Sequence, residues 1–320
     1  HLLAFYESHE RFERVADLLE LKAQRCEDTA QRLQVLRQLA KTYDTRLKQP
    51  AQALSSYLRA FQIDPTGSRV EEEIERLAVV VGEVRGVIRA YRAAALTLPV
   101  NEQTQIFWRA GVLSENSGNK AGAAVDYLRI LGRDAAIDTQ VLTGLQRLLQ
   151  AGLEPERLLE AAAQVGSSLE EPQWTLFWRH LAVFYEQVLG AHEQAMEAYK
   201  ALLAVHAEDP NLLAELERLY RSFAPKDELV RYLRGRRERT EDAASKAAFG
   251  KEIAQILKDL GDTQSALSET LWVSEVTPAD IEVWRSLTDL YLSTGQKAEA
   301  VYSLHRELGL LSEGEVRRER

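Results

Sequence analysis

The residues best suited to metal or nucleophilic chemistry are six histidines (His1, His9, His180, His192, His206 and His305) and one cysteine, Cys26. None of the histidines falls in a His-Glu-x-x-His or comparable ligand spacing. His180 lies near Glu186 on one helical stretch, but two such residues do not complete a metal site. A single thiol builds neither an intrachain disulfide nor a multi-thiolate site, and Cys26 reads as a small packing residue inside a helical repeat. No glycine-rich phosphate loop and no Gly-x-Ser-x-Gly elbow occurs. Gly118, Gly190, Gly261 and Gly295 stand singly, at places that suit tight turns. No catalytic residue, no metal ligand set and no cofactor is therefore assigned, and the chain is not expected to be an enzyme.

The carboxylates are numerous without being paired for acid–base work. Glu71, Glu72 and Glu73, and likewise Glu170 and Glu171, lie near helix starts, where negative charge favours the helix dipole. The densest positive run is Arg231, Arg234, Arg236, Arg237 and Arg239. Beside Asp227, Glu228, Glu238 and Glu241 it reads as a solvated helix face, and the alternative is a docking patch for an acidic or phosphate-bearing partner.

Composition says which elements must carry these residues. Of 320 residues, 45% are hydrophobic, with only 17 Gly and 8 Pro. Ala, Leu, Glu, Arg and Gln recur, which favours helices and leaves few turns for sandwiches or barrels. A net charge of −9 and a pI near 5.4 argue against the positive field that nucleic-acid binding needs. No run of 18 apolar residues exists to insert into a membrane. His1–Tyr6 has neither the basic start nor the cleavage site of a signal peptide.

One motif returns at constant spacing: four-residue runs end at Leu77, Leu148, Leu219 and Leu290, always one equal step apart. A second ladder, on Ala53, Ala123, Ala195 and Ala266, runs out of phase with the first and keeps nearly the same step. Each period therefore holds two related units of about 35 residues. Within a unit, apolar residues fall at i, i+3, i+4 and i+7 and break once near the middle, the pattern of a helix-turn-helix whose halves are too short to be stable alone. Ala53, Ala123, Ala195, Ala266 and Ala300 sit where two helix backbones must approach closely.

These units resemble the tetratricopeptide repeat, whose pattern is Trp-x2-Leu-Gly-x2-Tyr followed by Ala, an aromatic, Ala and Pro. Trp284, Leu287, Thr288, Tyr291, Gly295, Ala300 and Leu304 follow it closely. Ile253, Ala254, Leu257, Gly261, Ala266, Val273 and Pro278 do so one unit earlier. The units opening at Leu39-Ala40 and Leu181-Ala182 carry a lengthened inner turn. The units near 69–100, 103–135 and 138–170 are degenerate. The resemblance implies an all-α, right-handed α-solenoid of about nine hairpins. They are expected near 1–28, 30–66, 69–100, 103–135, 138–170, 174–210, 211–242, 244–279 and 280–312, as a single solenoid over 1–320. Tyr6 corresponds to Tyr291, so the first unit is expected to be truncated. Ser312–Arg320 is expected to be too short for a polar capping helix. The chain is read as a fragment flanked by further repeats.

The resemblance also implies a non-catalytic scaffold that binds a protein or peptide in a concave groove lined by the first helix of each unit. In that register Arg76, Arg147 and Arg218 share one position, each a full period from the next. Arg37, Arg179 and Lys251 share another, with Arg109 near it. Such a stripe suits an acidic segment, because guanidinium grips carboxylate in two-pronged fashion. Against this, Glu72, Glu73, Glu75, Glu186, Glu215 and Glu217 are placed to neutralise the stripe locally. The Asn positions of the family's carboxylate clamp are absent, so binding of chaperone tails is not implied. Trp108 and Trp178, each in a Phe-Trp-Arg triplet, are expected to fill space between hairpins. The alternative functions are a structural subunit of a larger assembly or oligomer and, more remotely, an RNA-binding helical repeat.

Overall fold

The structure is a computed structural model that describes residues 2–318, with side chains described as far as Leu311. His1, Glu319, Arg320 and the side chains of 312–318 lie outside the described residues, and with them the chemistry of the closing Ser312–Arg320 segment. Among the described residues there are 18 α-helices and no strand. The chain divides into two compact units, His1–Ala191 and His192–Arg320.

The first unit holds α1 (Leu2–Ser8), α2 (Phe12–Arg25), α3 (Thr29–Thr45), α4 (Pro50–Ile63), α5 (Glu71–Val81), α6 (Val84–Ala95), α7 (Val100–Asn116), α8 (Lys120–Leu128), α9 (Ala135–Gln150), α10 (Pro155–Gly166) and α11 (Gln173–Phe184). The second holds α12 (His192–Val205), α13 (Pro210–Phe223), α14 (Lys226–Arg239), α15 (Ala243–Asp259), α16 (Thr263–Val276), α17 (Ile281–Ser293) and α18 (Lys297–Arg318). Odd-numbered helices open the sequence repeats and even-numbered ones close them. Within each unit a closing helix packs against the opening helix of the next repeat, as α2 does on α3, α4 on α5, α6 on α7, α14 on α15 and α16 on α17. Each unit is thus a short stack of helical hairpins.

Capping residues explain where these helices begin. Asp28, Asp134, Asp209, Asp242 and Asp280 are N-caps of α3, α9, α13, α15 and α17, and each accepts backbone N–H bonds from the first turn. Such a bond satisfies donors that the helix itself leaves orphaned. Pro50, Pro155 and Pro210 open α4, α10 and α13, where a missing N–H costs nothing. Gly118, Gly190, Gly261 and Gly295 take φ of 80, 62, 81 and 78°, as turn residues should. The extra residues of the two lengthened turns are absorbed differently. In one, Lys48 adopts φ 55°. In the other, a π-helical turn over Tyr185–Leu189 precedes Gly190.

Both sequence ladders form the core. Leu77, Leu148, Leu219 and Leu290 are buried, as are Ala53, Ala123, Ala195, Ala266 and Ala300. Full burial of such a leucine is worth ~1.5–3 kcal/mol, and the alanines admit the neighbouring backbone. Tyr127 of α8 shows the same economy of space. Its ring lies against α7 and α9 where a Cβ on Gly111 or Gly144 would stand 2.5 or 3.0 Å from it. Cys26 departs from expectation, being half-buried at the C-terminus of α2, where its Sγ donates to the Asp28 carbonyl at 3.4 Å. The helix-ending role places it at the surface side of a turn.

The fourth repeat is also less regular than its neighbours. Helix α8 has only 9 residues, and the chain then turns through Ile130 and Leu131, both wholly buried. Gly132 follows with φ 82°, and a Cβ there would meet the Phe177 nitrogen at 2.8 Å and the Gln173 carbonyl at 2.9 Å. Gln173 Nε2 donates to the carbonyls of Arg129 (3.3 Å) and Leu131 (3.0 Å), so α11 satisfies the groups that the shortened helix leaves open.

Candidate functional site

The stripe arginines singled out in the sequence sit on the opening helices, and Arg76, Arg109 and Arg147, with Lys251, reach a carboxylate on a neighbouring hairpin. In the first unit, Arg76 of α5 bonds Asp44 of α3 and, at 2.7 Å, Glu73 of its own helix. Arg109 of α7 donates to Glu75 of α5 at 2.8 Å. Arg147 of α9 grips both oxygens of Glu115 of α7, one of them at 2.8 Å. Gln38 of α3 completes the series with a 3.4 Å bond to Glu7 of α1. Helices α1, α3, α5, α7 and α9 are therefore joined side by side by one polar contact per step.

The second unit repeats the device. Arg221 of α13 makes a two-pronged contact with Glu252 of α15, with both bonds at 2.9 Å. Lys251 of α15 bonds Asp280, the N-cap of α17. Arg218 pairs locally with Glu215 at 2.8 Å. Arg179 is half-buried on α11, and Arg37 is half-buried on α3 with no ion pair among the described residues. Of the carboxylates expected to neutralise the stripe, Glu73, Glu75 and Glu215 do so. Asp44, Glu115 and Asp280 are partners beyond that expectation. Their signal in the sequence is opposite charge at a separation of one repeat, 32 residues for both Asp44/Arg76 and Glu115/Arg147.

The closing helices carry a matching set. Arg59 of α4 donates to Glu20 of α2 at 2.7 Å. Arg92 of α6 reaches Asp126 of α8. Arg234 and Arg237 of α14 share Glu269 of α16, and Arg237 also lies over the Trp272 ring, 4.3 Å from its centre. Within the Arg231–Arg239 run, Arg231 lies 3.5 Å from Asp227 and Arg236 lies 3.7 Å from Glu217.

Most of these pairs are part-exposed, and each contributes about 0–1 kcal/mol. Two carboxylates feel their partners strongly. The Arg59 guanidinium holds Glu20, and the Arg147 guanidinium together with the Tyr127 hydroxyl (2.7 Å) holds Glu115, below the usual carboxylate range. Arg92 and Asp126 differ from the rest, because Asp126 is wholly buried. Burial pushes that carboxyl upward, and Arg92 opposes the push through bonds of 2.8, 3.1 and 2.6 Å.

A cleft of about 200 Å³ opens between α15, α16 and α17. Ala254, Val273, Val283 and Leu290 line it with apolar surface, while Lys251, Gln255, Lys258, Glu282 and Ser286 supply polar groups. It is large enough for one or two side chains. His180 has a structural partner, with Nε2 3.1 Å from Asp138. Among the described residues no group of three or more His, Cys, Asp and Glu is placed to hold a metal, and no helix is long and apolar enough to cross a membrane. Of the two tryptophans expected between hairpins, Trp178 reaches the neighbouring hairpin, whereas Trp108 packs within its own. Trp108 lies 5.1 Å from the Tyr127 ring, and Trp178 sits against Phe177 and Gly166.

These features define an all-α chain of tetratricopeptide-like helical hairpins, each unit a short α-solenoid tied laterally by charged contacts. No protein-family model matches the chain, and no curated protein matches it by sequence. Solved structures similar to it include the following two. The structure of Naa15/Naa10 bound to HypK-THB aligns over 96% of this chain and 52% of that one, at 14% identity and a TM-score of 0.32. This chain thus spans about half the length of that one. The complex of the TPR2AB domain of yeast Sti1 with pHSP90 aligns over 91% of this chain and 96% of that one, at 14% identity and a TM-score of 0.29.

Proposed function

We propose that this chain is a non-catalytic protein-interaction scaffold in which each unit binds a partner segment along the face formed by its own opening helices. The observation that carries this reading is the cleft at α15 and α17. Its apolar floor accepts a side chain, and Lys251 and Lys258 at its margin accept a carboxylate beside it. Arg76, Arg109 and Arg147 extend the same chemistry in the first unit, where a partner's carboxylate competes with Asp44, Glu75 and Glu115 for the guanidinium groups. Arg37, Arg179 and Arg218 are the other members of the proposed contact set.

The test uses a photo-crosslinking residue at Gln255 and, as a control, at Val205 on α12. A partner segment captured at Gln255 and lost when Arg218, Lys251 and Lys258 of the same unit are changed together to Glu supports the reading, provided circular dichroism shows helicity retained. Capture that is equal at both positions, or unaffected by the triple charge reversal, counts against it.

A role in a larger assembly is favoured by a separate observation. Val301, Leu304, Leu308 and Leu311 of α18 are exposed at 54, 44, 54 and 41% and spaced as a helix–helix seam. The equivalent positions one repeat earlier, Leu267, Thr270 and Ser274 of α16, are buried at 4, 5 and 6%. Mass that rises with concentration in light scattering, and stops rising in Leu304→Glu/Leu308→Glu, supports assembly through this face. A constant monomer mass rejects assembly from copies of this chain.

A further inference from the structure

Many arginines of this acidic protein are held by carboxylates, and those on α6 and at the end of α8 include four that are not. Helix α6 carries Arg85, Arg89 and Arg92 and no acidic residue, and α8 carries a single carboxylate, Asp126. Arg92 takes that carboxylate. Arg85, Arg89, Arg129 and Arg133 form no ion pair among the described residues, although the chain as a whole has a net charge of −9.

Helical spacing gathers these four groups on one surface of the first unit. Residues 85, 89 and 92 lie at i, i+4 and i+7 on one flank of α6. That flank faces α8, because Arg92 donates to the Gly122 carbonyl at 3.1 Å and to Asp126. Gly122, Asp126 and Arg129 in turn lie at i, i+4 and i+7 at the end of α8. Arg129 stands over the Phe107 ring, 5.1 Å from its centre. Arg133 donates to the Val100 carbonyl and, at 3.1 Å, to Gln103 Oε1. Positions 100, 103 and 107 share one face of α7, so the two guanidinium groups line that face one to two turns apart, roughly 6–10 Å.

No anion on these elements is free to serve the two inner arginines. Asp126 is committed to Arg92, Asp134 to the amides of Ala136 and Ile137, and Asp138 to the Gly132 amide and His180. Glu102, in the first turn of α7, is exposed and pairs with neither arginine. Arg133 Nε is buried without a hydrogen-bond partner. Burial lowers the pKa of its guanidinium, and no nearby charge offsets that cost. Beside these cations two large apolar side chains face solvent: Leu96 at 65% and Val100 at 58% exposure. Leu96 lies on the same α6 flank as Arg89 and Arg92.

We infer that this surface, made by Arg85, Arg89, Leu96, Val100, Arg129 and Arg133, docks an acidic peptide segment in which carboxylates flank an apolar residue. Guanidinium groups roughly 6–10 Å apart match carboxylates about two to three residues apart in an extended chain, at ~3.3 Å per residue. The apolar residue between them covers Leu96 and Val100. This surface lies on α6, the end of α8 and the turn after it, and the first turns of α7, and it uses none of the arginines proposed above.

The test is fluorescence anisotropy on the full chain with a labelled 14-residue peptide of Asp, Glu and Leu. Its Asn/Gln/Leu counterpart and inorganic polyphosphate serve as comparison probes. The acidic peptide is expected to bind, and to weaken steeply as salt rises. Arg85→Glu/Arg89→Glu should weaken it at least tenfold, at exposed positions where folding is undisturbed. Arg129→Gln/Arg133→Gln, which keeps a hydrogen-bonding side chain at each place, should also weaken it at least tenfold. Arg14→Glu/Arg25→Glu on α2, outside both proposed surfaces, should leave it within twofold. The inference is overturned by equal binding of the neutral peptide, by binding of polyphosphate alone, or by affinity that follows Arg14 and Arg25 rather than Arg85 and Arg89. An acidic peptide that fails to bind at low salt overturns it as well.

Discussion

Replacing Arg92 with alanine should be among the most damaging single changes available in the first unit. Asp126 has no solvent exposure, and Arg92 supplies three of its contacts at 2.6–3.1 Å. Without Arg92 the carboxylate keeps one hydrogen bond, from the Ser114 hydroxyl 3.4 Å away, and the more distant charge of Arg129. Stranding a buried charge in this way costs about 3–5 kcal/mol, against about 0–1 kcal/mol for the part-exposed pairs elsewhere. Urea unfolding followed by circular dichroism, with hydrogen exchange of α6–α8 to localise the loss, reads this out. The double variant Arg92→Ala/Asp126→Ala removes the stranded charge and should recover much of the loss. The pH dependence carries a sign. Burial raises the Asp126 pKa in the folded state, and loss of Arg92 raises it further. The penalty in Arg92→Ala is thus fully present above the raised value and fades as pH falls through it, since the folded chain then binds the proton more tightly than the unfolded one. A loss below about 1 kcal/mol, or a double variant no more stable than the single, would refute the argument that Asp126 depends on Arg92.

Two further outcomes follow from the packing and the charges. Gly111→Ala places a methyl group 2.5 Å from the Tyr127 ring and should destabilise the α7–α8 hairpin by ~1–3 kcal/mol; melting with Tyr127→Leu as a partner in a double-mutant cycle should show the two changes to be coupled, and additivity would argue against the contact. Glu20 and Glu115 are held below their ordinary value of 4.5, so their contribution is complete above that value and is lost as pH falls below it through the lowered values. Acid titration of stability should show this loss diminished in Arg59→Met/Arg147→Met, and an unchanged profile would assign the acid transition to other groups.

The ladders ending at Leu77, Leu148, Leu219 and Leu290, and those built on Ala53 and its counterparts, were legible because periodicity is a local property. A helix that must bury one face repeats apolar residues at its own pitch, and stacked hairpins repeat that pattern along the chain. The Asp and Pro positions that begin helices are equally local, since capping acts within one turn. The arginines were found for the same reason, as residues recurring at a fixed repeat position.

What those arginines touch was not legible to the same degree. Local partners such as Glu73 and Glu215 lie one turn away. Asp44, Glu115 and Asp280 are distant in sequence and become neighbours only when adjacent hairpins stack. The shortened α8 was likewise invisible, because Ile130 and Leu131 continue an apolar pattern that suits a helix as well as a buried turn. Gln173 and the Gly132 contact with α11 decide between the two. Nor did the sequence single out Arg85, Arg89, Arg129 and Arg133, which are unexceptional among the many arginines of the chain. By itself the sequence determined that this protein is a repeating array of amphipathic hairpins, since that follows from spacing along the chain. Tertiary structure alone decided which charges are matched and which are left open, because electrostatic pairing depends on distances between helices that spacing does not contain.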